Sequence, residues 1–382
     1  MKKILIVHNQ YQNIGGEDVA VINEVKALSQ HFTIESIYFD NSVDNFFRLL
    51  LSFIRNSNKP SNEIILEKIF EFKPDIVYFH NTWFKISLGI FEILENLDLE
   101  IVIKIHNFRY FCTRSYFSKN HLQGDSFCNA CGLKNKSFGL LNKYFQESFL
   151  KSILAVWFGK KYFTILKRSS IKKLVLTQFH KNFLEDLKIS DNVFVIPNIN
   201  EFKPKLTNNT TENYIVYAGR ISEEKGFPDI IEAFLASNLK QTKFKIIGNG
   251  PLFEKMKNTY VNERIVFTGV LENKEVLRQI SSSLAVVTGT KLHEGQPTLL
   301  SEAAMLGVPS IFPRSGGIQE FFPDDYALSY EKFNFNDFVC KLNLIHNSDF
   351  MKEQASISKS YFHKNFGTNR IINLFEEVFD DS

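Results

Sequence analysis

A chain of 382 residues, 44% apolar and 23% charged, has the composition of an ordinary globular protein and enough hydrophobic material for two domains. Its longer apolar runs, such as 153–158, fall far short of a membrane span, and the opening MKKILIVH is too short in apolar residues for a secretory leader, so a cytoplasmic protein with reduced thiols is expected. The net charge of +3 conceals an asymmetry: Ile101–Lys181 holds fifteen Lys and Arg against Asp125 and Glu147, a local +13 that leaves −10 for the rest.

In chain order, Ile4–Val7 reads as a strand, and the loop His8–Glu17 (HNQYQNIGGE) places Gly15 and Gly16 before a helix over about 18–30. A strand, a glycine loop and a helix start can cradle phosphate, although a glycine pair also serves an ordinary turn. Residues 40–60 form a helical segment rich in Phe and Leu. Ile76–Phe79 is the next clear strand, ending in His80-Asn81-Thr82, and Ile101–Ile105 is another, ending in His106-Asn107. A histidine at the carboxyl end of a buried parallel strand sits where α/β folds place ligands, so His106 can donate a hydrogen bond to a bound sugar; His80 has the poorer claim. Cys112, Cys128 and Cys131 follow, with Cys128 and Cys131 in a CxxC pair that suits redox chemistry or half of a zinc site. Closing such a site requires a fourth ligand; His121 is the nearby candidate, Tyr144 stands where a further cysteine is sought, and Cys340 is too distant. Plain buried thiols are the simpler account of the cysteines, so no metal site is expected, with zinc on these three cysteines and His121 as the alternative. The stretch 134–168 interleaves Lys and Arg with Phe, Leu and Trp157, which fits helices lying on anionic lipid and equally a helix pair with one core face and one solvated basic face.

Strands over 174–177 and 194–196 and a helix over 179–188 complete the first half, and the polar stretch Asn200–Asn213 reads as a linker. Beyond it, Tyr214–Ala218 is a strand followed by Gly219-Arg220 and Lys225-Gly226, with Pro228 in a helix first turn. Arg220 and Lys225, five apart in one loop, can reach one diphosphate, the Arg through its planar fork and the Lys as a point charge; either alone is more simply a solvated basic side chain. Further strands lie at 244–247, ahead of the turn Gly248-Asn249-Gly250-Pro251, at 264–269 and at 284–288. The loop 291–296 then leads through Pro297 and Thr298 into a helix over about 298–306, stopped by Gly307. That helix start favours an anion, whereas Glu294 before it and Glu302 within it accept hydrogen bonds. Donors aimed at phosphate beside acceptors aimed at hydroxyls describe a sugar diphosphate. The amphipathic stretch 366–379 closes the chain.

The HNxYQxxGGE opening, the HN after the strand at 101–105, GRISEEKG, the GNGP turn, the spacing between Glu294 and Glu302, GVPSI and the following GG together resemble the retaining glycosyltransferases of family four over nearly the whole chain. The resemblance implies an α/β architecture of the GT-B kind, two doubly wound Rossmann-like domains facing across a cleft: an acceptor-side domain over 1–200 and a nucleotide-sugar domain over 201–365, with a terminal helix over about 366–382 packing back on the first. It also implies roles. Arg220 and Lys225 hold the donor diphosphate, Gly15 and Gly16 face the donor phosphates and acceptor, His106 lies near the donor sugar, and backbone at Gly219, Gly248 and Gly250 meets the nucleotide. Glu294 binds sugar hydroxyls and Glu302 the ribose. The loop Gly295, Gln296, Pro297, Thr298 and Leu299 stands where the family reads close to EGFGL, a departure that bears on the choice of donor sugar. No cofactor or metal is implied; the donor is a UDP- or GDP-linked sugar. The expected acceptor is a lipid-diphosphate-linked sugar of an O-antigen or capsule, met on the cytoplasmic face of the inner membrane, where the enzyme is peripheral. Two other readings are a sugar-nucleotide epimerase of the same fold, for which no acid/base constellation is identifiable, and a non-enzymatic nucleic-acid-binding module using 101–181, which leaves Glu294 and Glu302 unexplained.

Overall fold

The computed structural model describes residues 1–10, 15–40, 51, 54–82, 85–108, 149–200 and 211–380. The three cysteines Cys112, Cys128 and Cys131, His121, most of the basic stretch 134–168 as far as residue 148, and linker residues 201–210 lie outside the described residues, as do 41–50 of the Phe-rich segment. The chain divides into two compact units, the first holding the described residues up to 200 together with the helix from Thr368, the second running to Gly367.

In the first unit the described strands are β1 (Lys3–Gln10), β2 (Thr33–Asp40), β3 (Ile76–Phe79), β4 (Glu100–Ile105), β5 (Ile171–Val175) and β6 (Val193–Val195), ordered β2-β1-β3-β4-β5-β6. Every pairing is parallel. Continuous apolar runs form the central strands because helices cover both faces of such a sheet: Ile4–Val7 and Ile76–Phe79 are fully buried. β2 is an edge strand, and its sequence TIESIYFD gives it a largely half-buried surface rather than an apolar run, which is why no strand is expected there from sequence. β5 begins three residues before the expected Leu174, taking in Lys172 and Lys173. Lys173 is buried and donates to the carbonyls of Arg168 (2.8 Å) and Asp191 (2.9 Å), so its charge is satisfied inside the fold.

The second unit contains β7 (Tyr214–Ala218), β8 (Lys243–Ile247), β9 (Ile265–Gly269), β10 (Ala285–Val287), β11 (Ser310–Pro313) and β12 (Ser329–Tyr330), all parallel in the order β12-β11-β10-β7-β8-β9. The fold is therefore two doubly wound parallel sheets with flanking helices. In each, the strand order reverses beside the first strand, between β1 and β3 and between β7 and β10, where such sheets open a crevice at their carboxyl ends. The helix expected over 298–306 is found at Thr298–Leu306, ending on Gly307 in the left-handed region. The terminal amphipathic stretch is interrupted at Gly367, which separates helix Ser348–Phe366 from helix Thr368–Asp380. The last helix packs on the first unit: Phe375 and Phe379 are fully buried against Tyr78, and the Lys172 ammonium donates to the Val378 carbonyl at 2.6 Å.

Candidate functional site

In the second unit, the crevice between β7 and β10 gathers the charged residues picked out from the sequence. After β7 the chain makes a short 3-10 turn, Glu223–Lys225, and Gly226 starts helix Phe227–Ala236. The Lys225 ammonium donates to Glu294 Oε1 at 2.5 Å, and the Thr290 hydroxyl donates to the same oxygen at 2.9 Å. Two backbone crossings fix this pair. Gly226 has φ +65°, and a Cβ there would lie 1.9 Å from the Gly289 carbonyl oxygen, so at this point the loops after β7 and β10 approach more closely than any residue but glycine allows, and the Lys291 N–H donates to the Glu224 carbonyl at 2.9 Å beside it. Gly316, at φ +64°, lies against Glu294, where a Cβ would stand 2.8 Å from its nitrogen, and the Gly317 N–H donates to the Glu294 carbonyl at 2.9 Å. The second glycine pair is thus the clamp that holds the Glu294 backbone.

The remaining expected residues are placed around this pair. Arg220 is exposed at the end of β7. Gly295 is buried; Gln296, Pro297, Thr298 and Leu299 are half-buried and lead into the helix, whose first N–H groups point out of it as at any helix start. The glycines expected on the nucleotide side have their N–H groups engaged: Gly219 donates to the Ile247 carbonyl (2.9 Å), Gly248 to the Gly269 carbonyl (2.8 Å) and Gly250 to Asn249 Oδ1 (2.7 Å), so these N–H groups are committed within the fold. Glu302 is half-buried, and burial pushes its carboxyl up to about 7, opposed by a hydrogen bond with Asn273. At neutral pH it therefore carries a proton part of the time and donates as well as accepts. Lys332, just beyond β12, is a residue the sequence reading missed: burial lowers its ammonium to about 8, while Glu294 acts to raise it.

In the first unit, the loop glycine Gly15 gives its N–H to Asp18 Oδ2 at 2.7 Å, and Asp18 Oδ1 meets His8 Nε2 at 2.9 Å. Helix Gly16–Leu28 thus opens on two acids, Glu17 and Asp18, a setting that favours hydroxyl donors over an anion at that turn. His106, at the end of β4, meets His80, at the end of β3, through Nε2 and Nδ1 at 2.9 Å with the rings stacked. Burial lowers both imidazoles well below the ordinary histidine range, so both are neutral. Beneath them Glu24 accepts from the buried Lys104 ammonium and from the Tyr78 hydroxyl, the latter at 2.5 Å. His80, Glu24 and Lys104 are additions to the site that sequence reasoning left out; the one available signal was that β3, like β4, ends in His-Asn. Among the described residues no cluster of His, Cys, Asp or Glu could hold a metal ion.

Residues 198–361 match the family model of glycosyl transferases group 1. The amylovoran biosynthesis glycosyltransferase AmsD of Erwinia amylovora is 24% identical over 99% of both chains. The putative teichuronic acid biosynthesis glycosyltransferase TuaC of Bacillus subtilis (strain 168) is 30% identical over 32% of this chain and 30% of its own. Among solved structures, Anabaena Alr3699/HepE in complex with UDP superposes over 100% of both chains with a TM-score of 0.66 at 14% identity, a likeness of fold. The fold is the two-domain α/β arrangement of GT-B proteins, and the matches together support a glycosyltransferase.

Proposed function

We propose that this chain is a retaining, metal-independent glycosyltransferase that moves a hexose or N-acetylhexosamine from a UDP- or GDP-linked donor to a lipid-diphosphate-linked oligosaccharide in surface polysaccharide synthesis. The observation that carries the reading is the Lys225–Glu294 pair at the strand-order reversal of the second sheet, beside exposed Arg220 and a helix start. Cations and N–H groups there meet a diphosphate; the carboxylate meets sugar hydroxyls.

In the reaction the bond from the anomeric carbon to the β-phosphate oxygen breaks and a bond to the acceptor oxygen forms on the same face. The acceptor's proton passes to the departing phosphate oxygen. Negative charge grows on that phosphate as the bond lengthens, and Arg220 and Lys225 stabilise it more in the transition state than in the ground state. Lys225 starts paired with Glu294, so donor binding exchanges a carboxylate for phosphate at the ammonium and releases Glu294 to the sugar. Glu302 holds the ribose and His106 a sugar hydroxyl. The polysaccharide setting is supported by the names of AmsD and TuaC, and the UDP-type donor by the HepE complex.

A panel of nucleotide sugars, each incubated with a polyprenyl-diphosphate sugar and assayed for released nucleoside diphosphate, tests this. One donor should turn over only with acceptor and give a product of unchanged anomeric configuration by NMR. Epimerised nucleotide sugar without acceptor would replace the proposal with the epimerase.

A further inference from the structure

The buried chain from Glu24 through His80 to His106 has a consequence for what His106 can offer a ligand. His80 is 4% exposed, and its Nε2 has no hydrogen bond but faces Glu24 Oε1 at 3.6 Å. Its Nδ1 meets His106 Nε2 at 2.9 Å. A neutral imidazole carries one N–H and one lone pair, so only two arrangements of the pair exist. If His80 holds its proton on Nδ1, it donates to His106 and turns a lone pair toward a carboxylate oxygen. If it holds the proton on Nε2, the N–H dipole points at the carboxylate, Nδ1 accepts from His106 Nε2–H, and His106 is left with a bare lone pair on Nδ1. The second arrangement removes a lone-pair repulsion in a buried, weakly screened setting and replaces it with an attraction. Glu24 is itself fixed there by the Lys104 ammonium and the Tyr78 hydroxyl. The other titratable groups acting on these rings, His8, His180 and Lys104, act to lower their proton affinity and so help to keep both neutral.

We propose that Glu24 and His80 are positioning residues that fix His106 in its Nε2–H form, so that His106 presents Nδ1 to its ligand as a hydrogen-bond acceptor. His106 Nδ1 is buried with no hydrogen-bond partner among the described residues, as expected of an acceptor kept for a hydroxyl. This reverses the donor role read from sequence, and it selects ligand chemistry: a sugar hydroxyl serves as the donor, and replacing that hydroxyl with fluorine removes the bond. The assignment of that hydroxyl to a sugar rests on the glycosyltransferase reading; the tautomer does not.

Long-range proton–nitrogen NMR spectra of the whole protein labelled with 15N-histidine distinguish the two ring forms directly. The His106 signals are identified by their loss in His106→Gln. The wild type should show His106 and His80 both protonated on Nε2. His80→Asn keeps an acceptor near the position of Nδ1 and should preserve the His106 form, whereas His80→Phe should release His106 into a mixture and lower transfer about tenfold with nucleoside diphosphate affinity unchanged. An Nδ1–H form of His106 in the wild type overturns the proposal, as does a His80→Phe variant with the same His106 form and the same turnover. The wild-type spectrum decides even if His80→Phe fails to fold, and it decides whether or not the chain transfers sugar.

Discussion

Arg220 and Lys225 differ in what they do before a donor arrives. Lys225 is held by Glu294 at 2.5 Å, whereas Arg220 lies exposed at the crevice; in the proposed reaction its fork closes on the leaving phosphate. Arg220→Ala should therefore lower kcat by roughly 100- to 1000-fold, as for the loss of one donor to growing charge, and Arg220→Lys should recover only part of that. Glu294→Gln has a different expected effect. It weakens the bonds to sugar hydroxyls and so damages transfer, but it also frees the Lys225 ammonium, so calorimetry should show nucleoside diphosphate affinity kept or raised. Loss of diphosphate binding in that variant would remove Glu294 from the sugar side of the site. Glu302 supplies a pH signature. Its carboxyl stands at about 7 in the folded protein against 4.5 ordinarily, so the folded state binds its proton more tightly. The stability it contributes is complete below about pH 4.5 and is lost as pH rises through 7, on the order of 2 kcal/mol after allowance for its partial exposure. Thermal melts of the ligand-free protein should show that decline, and Glu302→Gln should flatten it relative to wild type.

The loops that carry these side chains are held by close backbone contact as well as by side-chain pairs such as Lys291 with Glu223 and Asp229. At Gly226 a methyl group would meet the Gly289 carbonyl at 1.9 Å with φ at +65°, so Gly226→Ala should cost roughly 3 kcal/mol and pull Lys225 away from Glu294. A lowered urea midpoint together with weakened diphosphate binding is the expected pair of results; a variant as stable and as tightly binding as wild type would show that the crossing is unimportant. The sequence made some elements plain and hid others for the same physical reason. β3 and β7 are unbroken apolar runs, β1 is built on the run Ile4–Val7, and helix Thr298–Leu306 is bracketed by Pro297 and Gly307, so pattern and punctuation suffice for them. β2 and β5 carry polar and charged residues whose satisfaction depends on partners far along the chain, such as Asp191 for Lys173. The pairing of His80 with His106 was equally hidden. It follows from the parallel register that sets Phe79 beside Ile103 and brings two strand ends together across 26 residues, a relation no local spacing encodes. The burial of Lys104 against Glu24 is of the same kind: a lysine within a strand reads as an interruption until its partner on helix Gly16–Leu28 is known.

At the scale of the whole chain, the two units depend differently on its ends. Helix Thr368–Asp380 buries Ile371, Ile372, Phe375, Val378 and Phe379 in the first unit, at about 2 kcal/mol for each large side chain, a sum comparable to the entire stability of a domain. Ending the chain after Gly367 should therefore abolish the first unit's unfolding transition in calorimetry while leaving a transition for the second; two intact transitions would contradict this. Among the described residues no helix is long and apolar enough to cross a membrane, and the proposed lipid-linked acceptor would be reached through a surface. The described end of helix Phe149–Leu166 bears on how. Phe158, Tyr162, Ile165 and Leu166 are buried, at spacings that place them on one face, and that face is committed to the first unit's core. What remains outward is Trp157 at 36% exposure, with the Lys161 ammonium 4.4 Å from the centre of its ring, and exposed Lys160 and Lys167. Three lysines near an anionic surface contribute about 1 kcal/mol each, enough for roughly a hundredfold partition at low salt and little at high salt, with an interfacial Trp adding to it. We therefore expect flotation with anionic liposomes at low salt, loss of it at about 0.5 M salt, and little flotation with neutral vesicles. Charge reversal at Lys160, Lys161 and Lys167 should abolish the anionic preference without changing turnover on a soluble acceptor analogue. Equal flotation with neutral and anionic vesicles would leave this helix as a core element with a merely solvated basic face.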